Sequence, residues 1–184
     1  LYPAFITPVN GNYSWINQGG ATVTVNGNGG IFLYAPAGAG ANLRIRELAI
    51  PAAPYTLSIA FLPLLLSTTS IAGFSLRESG SGKLVTFHVL GATGAPSLGG
   101  QRWNSVTSAG TLVFSAGVVL PGLAWLRIVD DNTNRKCYFS SDGYNYVLFS
   151  SETRTTFITP DFIGFFAESA TASYDAGMTL LSWG

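Results

Sequence analysis

The stretch that decides the fold reads WLRI (125–128), CYFSSDGYNY (137–146) and FIGFF (162–166). In its middle segment apolar and polar residues alternate up to an Asp142-Gly143 pair, and the alternation resumes after that pair. An Asp-Gly pair between two alternating segments is among the strongest short-range hairpin signals that a sequence offers. This part of the chain therefore predicts antiparallel strands joined by a tight turn.

The predicted turn also sets which residues lie opposite each other. A two-residue turn places Phe139 opposite Tyr146, and a tight loop at 131–134 places Ile128 opposite Cys137. One face of the resulting three-stranded unit is apolar and is expected to face the core: Leu126, Ile128, Cys137, Phe139, Tyr146 and Leu148. The opposite face mixes aromatic and hydrogen-bonding side chains: Trp125, Arg127, Val129, Lys136, Tyr138, Asn145, Val147 and Phe149.

Strand signals recur along the whole chain, separated by turn-forming glycine, asparagine and serine residues, and the glycine-rich stretch 91–100 is interpreted as an exposed loop. Short strands at close intervals are typical of sandwiches and barrels, and 184 residues suit one such domain. We therefore predict an all-β chain, an antiparallel β-sandwich that forms a single domain over residues 1–184, with residues 1–45 as an alternative assembly arm. The predicted strands are 21–25, 31–35, 43–48, 55–62, 71–78, 83–90, 111–114, 125–129, 135–141, 144–149, 162–168 and 177–182.

The order of these segments resembles one known fold family. Between Tyr55 and Trp183 a strand, a hairpin with a Gly-Ser tip at 80–82, a segment bearing Trp103 and the stretch quoted above follow one another. This order is similar to that of concanavalin A-like (laminin G-like) jelly-roll domains. Such modules are frequent in carbohydrate-binding proteins and in bacteriophage tail, fibre and capsid-surface proteins, so the resemblance implies a jelly roll and these kinds of function.

Charge is scarce in this chain. Charged residues make up 10% of it, against about 25% in typical soluble domains, and the formal net charge is zero. Because such a surface tends to be covered, we expect an assembled particle or a homo-oligomer. The family resemblance implies other virion proteins as partners and, by analogy with viral fibres, a trimer. Seven Arg and two Lys residues are scattered, which argues against a nucleic-acid partner. The longest apolar run, 59–66, has the length of a strand and predicts no membrane span.

The mixed face of the hairpin unit is the candidate binding surface. Aromatic rings can stack on sugars, and Arg or Asn side chains can bind hydroxyl groups, so one interpretation is a groove for a cell-surface polysaccharide. The other interpretation is that loops or a neighbouring subunit cover this face. The candidate glycan- or partner-binding residues are Trp125, Arg127, Tyr138, Asn145, Phe149 and Trp103.

Catalytic patterns are missing from the sequence. Jelly-roll glucanases carry a Glu-x-Asp-x-x-Glu pattern on one strand, and this chain has none. His88, the sole histidine, has no Gly-x-Ser-x-Gly segment near it, so we expect a strand residue with a local hydrogen bond. Cys137, the sole cysteine, is expected in the core, with a reactive thiol or an intermolecular bridge as the alternative. We predict no enzyme activity; a hydrolase would need two carboxylates about 5–10 Å apart.

Asp130 and Asp131 open a run of oxygen-bearing side chains, DDNTN. Oxygen ligands suit calcium. The family resemblance also implies a candidate calcium site, because many concanavalin-like lectins hold calcium beside their sugar site. The run lacks the spacing of an EF-hand, and Asp/Asn clusters are ordinary turn chemistry. We therefore predict no metal and no other cofactor, and keep calcium at Asp130 and Asp131 as the alternative.

These observations together predict a non-enzymatic structural protein of a bacteriophage, located at the virion surface. It would be a capsid decoration, a fibre or a tail-associated module that mediates assembly and attaches to host-surface glycans. The alternative is a carbohydrate-binding, lectin-like module of a secreted microbial protein, with an extracellular location. The chain starts at Leu1 rather than Met, from which we expect a processed protein or a fragment.

Overall fold

The computed structural model describes residues 3–91, 96–117 and 122–184, which fold into two stacked antiparallel sheets. Segments rich in β-branched and aromatic residues form the strands, and Gly, Asn and Ser residues form the turns between them. A short 3-10 helix, Asn10–Asn12, precedes the first strand. The strands in these ranges are β1 (Ser14–Ile16), β2 (Thr22–Val25), β3 (Ile31–Ala35), β4 (Arg44–Ala49), β5 (Tyr55–Leu65), β6 (Ile71–Arg77), β7 (Leu84–Leu90), β8 (Ser97–Ser105), β9 (Ser108–Gly117), β10 (Ala124–Asp130), β11 (Asn134–Ser140), β12 (Val147–Thr153), β13 (Phe162–Glu168) and β14 (Ala176–Trp183).

Each sheet has seven strands. Sheet I has the order β1-β4-β13-β6-β7-β8-β9, and sheet II has the order β12-β11-β10-β5-β14-β3-β2. Strands that are distant in sequence lie side by side, as where β14 inserts between β3 and β5 in antiparallel pairing. The result is an antiparallel jelly-roll sandwich, which confirms the predicted fold class. In the ranges described, no helix has the length and apolar character needed to cross a membrane.

The main core lies between the two sheets, where alternate residues of facing strands meet. On β5 the side chains of Leu57, Ile59 and Phe61 point inward and are buried. The Trp183 ring of sheet II meets the Phe74 ring of sheet I in an edge contact, with 5.6 Å between ring centroids. Burial of each aliphatic or aromatic side chain of this size stabilises the fold by about 1.5–3 kcal/mol.

The central strands bury the residues predicted for β10 and β11 but not those predicted for β12. Leu148 is 50% exposed, and the Tyr146 ring contacts the Arg127 guanidinium on the outer face of sheet II. The buried residues are Leu126, Ile128, Cys137 and Phe139, each at most 9% exposed.

The prediction for β12 is wrong because the turn at Asp142-Gly143 is not a two-residue turn. β12 begins at Val147, so Phe139 pairs with Val147 and not with Tyr146. The Asp142 carboxylate accepts hydrogen bonds from the backbone N–H groups of residues 144 and 145, at 2.9 and 2.8 Å. An aspartate that binds the backbone ahead of it stabilises a wider loop than the two-residue hairpin requires.

Two strands, β1 and β8, were not predicted. β1 has only three residues, and β8 contains Gly99 and Gly100, which were interpreted as part of a loop over 91–100. Residues 92–95 of that loop lie outside the described ranges. A Cβ on Gly99 would lie 2.7 Å from His88 Nε2, and a Cβ on Gly100 would lie 2.5 Å from the Phe114 ring. Glycine occurs in this strand because neighbouring side chains lie across it.

Strands from residues 14–45 are built into the two sheets. β2 and β3 end sheet II at one edge, and β1 pairs with β4 at one edge of sheet I. The segment before β1 also contacts the sandwich, because the Ile6 carbonyl oxygen accepts a 2.9 Å hydrogen bond from Trp183 N–H.

Sheet I is curved, with its concave face directed away from the main core. Leu43, next to β4, donates a 2.8 Å backbone hydrogen bond to the Val106 carbonyl oxygen in the β8–β9 turn. Four strand spacings separate β4 from β8, about 19 Å in a flat sheet, so this bond requires the sheet to curl. A second apolar cluster fills the concave face: Leu43, Ile45, Ile71, Leu84, Trp103 and Phe166.

Close packing at Gly164 of β13 provides a test of the sheet I geometry. A Cβ there would collide with the Arg46 carbonyl oxygen and lie 2.9 Å from the Glu47 Cα atom. We expect Gly164→Ala to lower the free energy of unfolding by about 1–3 kcal/mol, because backbone atoms of β4 must move. Gly80→Ala is the control, since no atom lies within 4 Å of its Cβ position. Urea denaturation measures both; equal stability of the two variants would contradict this packing.

Candidate functional site

A cavity of about 290 Å³ opens on the concave face of sheet I. Its floor comes from strands β6, β7 and β8, and its rim from the segments before β4 and β6, the strand β9 and the segment after β13. These parts are far apart in sequence and are brought together by the curvature of the sheet. The lining residues are Gly40, Ala41, Thr68, Thr69, Ile71, His88, Leu90, Gln101, Trp103, Ala109, Leu112, Glu168 and Ala170.

A short chain of hydrogen bonds fixes the aromatic part of this cavity. The Trp103 indole Nε1–H donates to Thr86 Oγ1 at 3.0 Å, and Thr86 Oγ1 lies 3.0 Å from His88 Nδ1. Burial lowers the pKa of His88 to about 3, so the imidazole is neutral at physiological pH. A neutral imidazole can accept the hydroxyl proton at Nδ1, which leaves Nε2 protonated. The local hydrogen bond predicted for His88 is thus present.

His88 fits on the concave face because its neighbours across the sheet are glycines. Gly73 of β6 and Gly99 of β8 pair with it on either side. The ring also meets Phe166 at a right angle, with centroids 6.2 Å apart. Larger side chains at the two glycines would occupy the space of the imidazole or of the backbone beneath it. The polar floor of the cavity therefore depends on two small neighbours.

Glu168 is the carboxylate of the cavity and is only 3% exposed. Its Oε1 atom accepts a 2.5 Å hydrogen bond from the Asn42 backbone N–H. Burial raises the pKa of Glu168 to about 7, and the Asn42 N–H opposes that rise without cancelling it. A carboxyl that titrates near neutral pH can bind a ligand either as an acceptor or, when protonated, as a donor.

The remaining wall of the cavity combines apolar contacts with neutral hydrogen-bonding groups. Leu112 is 64% exposed, and Gln101 and Thr69 present an amide and a hydroxyl group. Aliphatic surface beside a few polar groups is the usual composition of a small-molecule site, although 290 Å³ is at the small end of the about 300–1,000 Å³ typical of such sites. The arrangement can hold one small polar ligand with an apolar face.

The predicted binding surface lies on the opposite side of the molecule, on the outer face of sheet II. Trp125 is covered by the chain itself: the Phe5 ring stacks on its indole with 5.5 Å between centroids. The Arg127 guanidinium lies 3.5 Å from the centroid of the Tyr146 ring and donates to Ser58 Oγ at 2.9 Å. This face was interpreted either as a sugar groove or as a surface covered by loops or a neighbouring subunit. Trp125 is covered, in this case by the N-terminal segment of the same chain.

The six candidate residues do not form one site. Tyr138 is half-buried beside Arg127, and Asn145 is exposed in the loop before β12. Phe149 was predicted on the outer face but turns inward at a bulge, where its ring meets Phe139 at 6.1 Å. Trp103 lies in the other sheet and lines the cavity. The structure thus brings Trp125, Arg127 and Tyr138 to one surface and separates Phe149 and Trp103 from it.

The Asp130-Asp131 pair does not fit a calcium site well. Asp130 Oδ2 accepts a 3.1 Å hydrogen bond from Arg154 Nε, and Asp131 Oδ2 one of 2.7 Å from Lys136 Nζ. The Asp131 Oδ1 atom accepts hydrogen bonds from two backbone N–H groups of the following turn. Within the described ranges, no group of three or more His, Cys, Asp or Glu side chains could hold a metal ion. Calcium would have to displace two cationic side chains here, and its binding stays an untested prediction.

The cavity itself was not predicted from the sequence. His88 on β7 and Glu168 at the end of β13 are on strands that were predicted, whereas Gln101 is on β8, which was not. Thr86, which bonds His88, lies on the same face of β7. Polar residues two apart on an otherwise apolar strand are the signal that was available. Cys137 is buried, as predicted, and burial raises the pKa of its thiol, which disfavours the reactive thiolate.

No family model and no curated protein matches this chain, whereas solved structures do. A functionally unknown protein from Saccharomyces cerevisiae has a TM-score of 0.73 at 15% identity, covering 96% of this chain and 97% of its own. The GH43 BlXynB protein from Bacillus licheniformis has a TM-score of 0.71 at 11% identity and covers 96% of this chain, which spans only 37% of that protein. A Lotus tetragonolobus seed lectin has a TM-score of 0.56 at 12% identity, covering 99% of this chain and 94% of its own. At these identities the similarity shows the fold: a concanavalin A-like jelly roll, as in the seed lectin.

The raised pKa of Glu168 predicts a specific pH dependence of stability. The folded state holds this proton up to about pH 7 and the unfolded state only to about 4.5, so stability falls as pH rises between these values. We expect Glu168→Gln to remove this fall and to stabilise the protein by about 3 kcal/mol above pH 7, roughly 6–12 °C in Tm. Thermal unfolding of both proteins from pH 4 to 8 measures the difference. His88 contributes equally to both, so a constant difference across that range would contradict the assignment.

Removal of the Phe5 ring should uncover Trp125. The Trp125 Nε1 atom is buried and has no hydrogen-bond partner, so its exchange with solvent depends on the cover above it. We expect Phe5→Ala to speed hydrogen exchange at this indole, measured by NMR, while the indole of Trp103 stays protected. Val9→Ala is the control, because Val9 is exposed and precedes the first strand. Unchanged exchange in Phe5→Ala would show that other atoms provide the cover.

Proposed function

We propose that this chain is a carbohydrate-binding, lectin-like module, and that the concave cavity of sheet I is its sugar site. The observation that carries the proposal is the composition of the cavity: aliphatic and aromatic walls around an amide, two hydroxyl groups and a carboxylate. A sugar ring has an apolar face of C–H groups and an edge of hydroxyl groups, so it needs both kinds of contact.

The polar groups of the cavity can also form hydrogen bonds of suitable strength with the hydroxyl groups of a ligand. Gln101 can donate and accept hydrogen bonds, and the Glu168 carboxylate accepts strong, charge-assisted ones. Trp103 and His88 are held in place by Thr86, so the floor is formed before a ligand arrives. A preformed site loses less conformational entropy on binding than a flexible one.

The shared jelly-roll fold of the seed lectin is consistent with this proposal, and a secreted, extracellular location goes with it. Part of the GH43 BlXynB protein shares the fold as well, so the fold alone leaves enzyme status open. In the described ranges the cavity is lined by one carboxylate, Glu168, whereas glycoside hydrolysis ordinarily uses two. This favours binding over catalysis.

The virion hypothesis and the homo-oligomer stay predictions. The similar structures described above come from a yeast, a bacterium and a plant, and their names mention no virion. Leu62, Leu64 and Leu66 are exposed on or beside β5 of sheet II, so apolar surface for self-association exists on the side away from the cavity. A phage role would therefore use a different face from the proposed sugar site.

A glycan array followed by calorimetry tests the proposal. We expect binding of one or more glycans, and expect Gln101→Ala to weaken it roughly two- to tenfold through the loss of one or two hydrogen bonds. Leu112→Ser should weaken it as well, because it removes apolar contact at the rim. Leu62→Ser is the control, since Leu62 is also an exposed leucine but lies on sheet II.

Tyr138→Ala separates the two surfaces of the molecule. Binding that survives Gln101→Ala and Leu112→Ser but is lost in Tyr138→Ala would move the sugar site to the outer face of sheet II. Absence of binding to any glycan on the array would overturn the proposed function.

A further inference from the structure

Glu168 lacks the cation that a buried carboxylate ordinarily has. Its protein contact is the Asn42 backbone N–H, and none of the ion pairs among the described residues includes it. The residues outside those ranges (1–2, 92–95 and 118–121) include no Lys or Arg. A buried carboxylate without a cation is costly to ionise, and its raised pKa reflects that cost.

The rest of the cavity supplies no positive charge either. His88, the other titratable residue of the lining, is neutral at physiological pH. The remaining polar groups of the lining, Gln101, Thr68 and Thr69, are uncharged. The cavity is therefore neutral or negative, and a ligand with a carboxylate would meet Glu168 without any compensating cation.

We propose that the cavity selects a sugar that carries a free primary ammonium group, which pairs with the Glu168 carboxylate. This inference rests on the proposed sugar-binding function. The ring of such an amino sugar lies against the apolar wall at Leu90 and Leu112, and its hydroxyl groups meet Gln101 and Thr69. The ammonium supplies the missing cation in a desolvated place, where a charge-assisted hydrogen bond is strong.

Three sugars and one simple amine form the test, measured by calorimetry near neutral pH. Glucosamine carries the free ammonium group, glucose has a hydroxyl group in its place, and N-acetylglucosamine has a neutral amide. Ethanolamine carries an ammonium group without a sugar ring. We expect glucosamine to bind at least tenfold more tightly than the other three ligands.

Variants of two carboxylates show whether Glu168 is responsible. Glu168→Gln should reduce the preference for glucosamine over glucose to about twofold or less, because the amide keeps the shape and loses the charge. Glu78→Gln makes the same chemical change at a carboxylate beside a surface turn, away from the cavity, and should keep the preference. Thermal unfolding of both variants confirms that they are folded.

The outcomes distinguish this inference from the proposed function. Equal binding of the three sugars, or a preference that persists in Glu168→Gln, would overturn the amino-sugar selection and leave sugar binding in place. Ethanolamine binding as tightly as glucosamine would overturn the selection of a sugar. No binding of any of the four ligands, together with a blank glycan array, would overturn both proposals.

Discussion

The backbone hydrogen bond between Leu43 and Val106 joins the two flanks of sheet I, and the shape of the proposed site depends on it. Without that contact the segment before β4 and the β8–β9 turn would lie at opposite sides of an open sheet. With it, the concave face holds a second apolar cluster, and Trp103 is almost completely buried. The cavity is what remains open at one end of this cluster. Its floor is thus supported from both sides, by the main core below and by the apolar cluster beside it.

Charged residues are few, and most of those that are buried have a partner. Arg102 of β8 pairs with Glu152 of β12 at 2.9 Å, an ion pair that joins the two sheets. On the concave face Arg77 binds Glu47 through both carboxylate oxygens, which fixes β6 and β4 across β13. Pairing of this kind offsets the cost of desolvating each charge. Among the described residues, two buried charged groups lack an ion-pair partner. Arg46 bonds to Asn10 and lies over the Trp15 ring instead, whereas Glu168 has the Asn42 backbone N–H and lines the cavity. Function is expected where a group departs in this way from the pattern of the fold.

Much of the fold could be predicted because local sequence patterns determine most of its strands. Alternation of apolar and polar residues placed β3 and β13 at their observed bounds and identified the buried faces of β10 and β11. The Asp142-Gly143 pair predicted a two-residue turn, but the loop is wider. The Asp142 carboxylate accepts hydrogen bonds from the backbone N–H groups of residues 144 and 145, which keeps those groups out of the strand pairing. β8 was not predicted because its glycines are typical of loops. Gly99 is needed to leave room for the His88 side chain of the adjacent strand, and the sequence of β8 alone does not show that contact.

The candidate site could be predicted only in fragments. Trp103 was singled out from the sequence, but Glu168 and Leu112 were not, and nothing local marks them as neighbours. They meet because sheet I curls, and curvature results from the packing of seven strands rather than from any one of them. The outer-face residues were easier to find, since Trp125 and Tyr138 belong to one predicted hairpin unit, but Phe5 covers the most prominent of them.

The segments around Ile6 and Gly184 are both hydrogen-bonded to sheet II. The Ile6 carbonyl oxygen accepts from Trp183 N–H, and Gly184 exchanges backbone hydrogen bonds with Ser58 of β5. The Phe5 ring also stacks on Trp125 at the outer face of sheet II. A ligand can therefore enter the concave face of sheet I without displacing either segment.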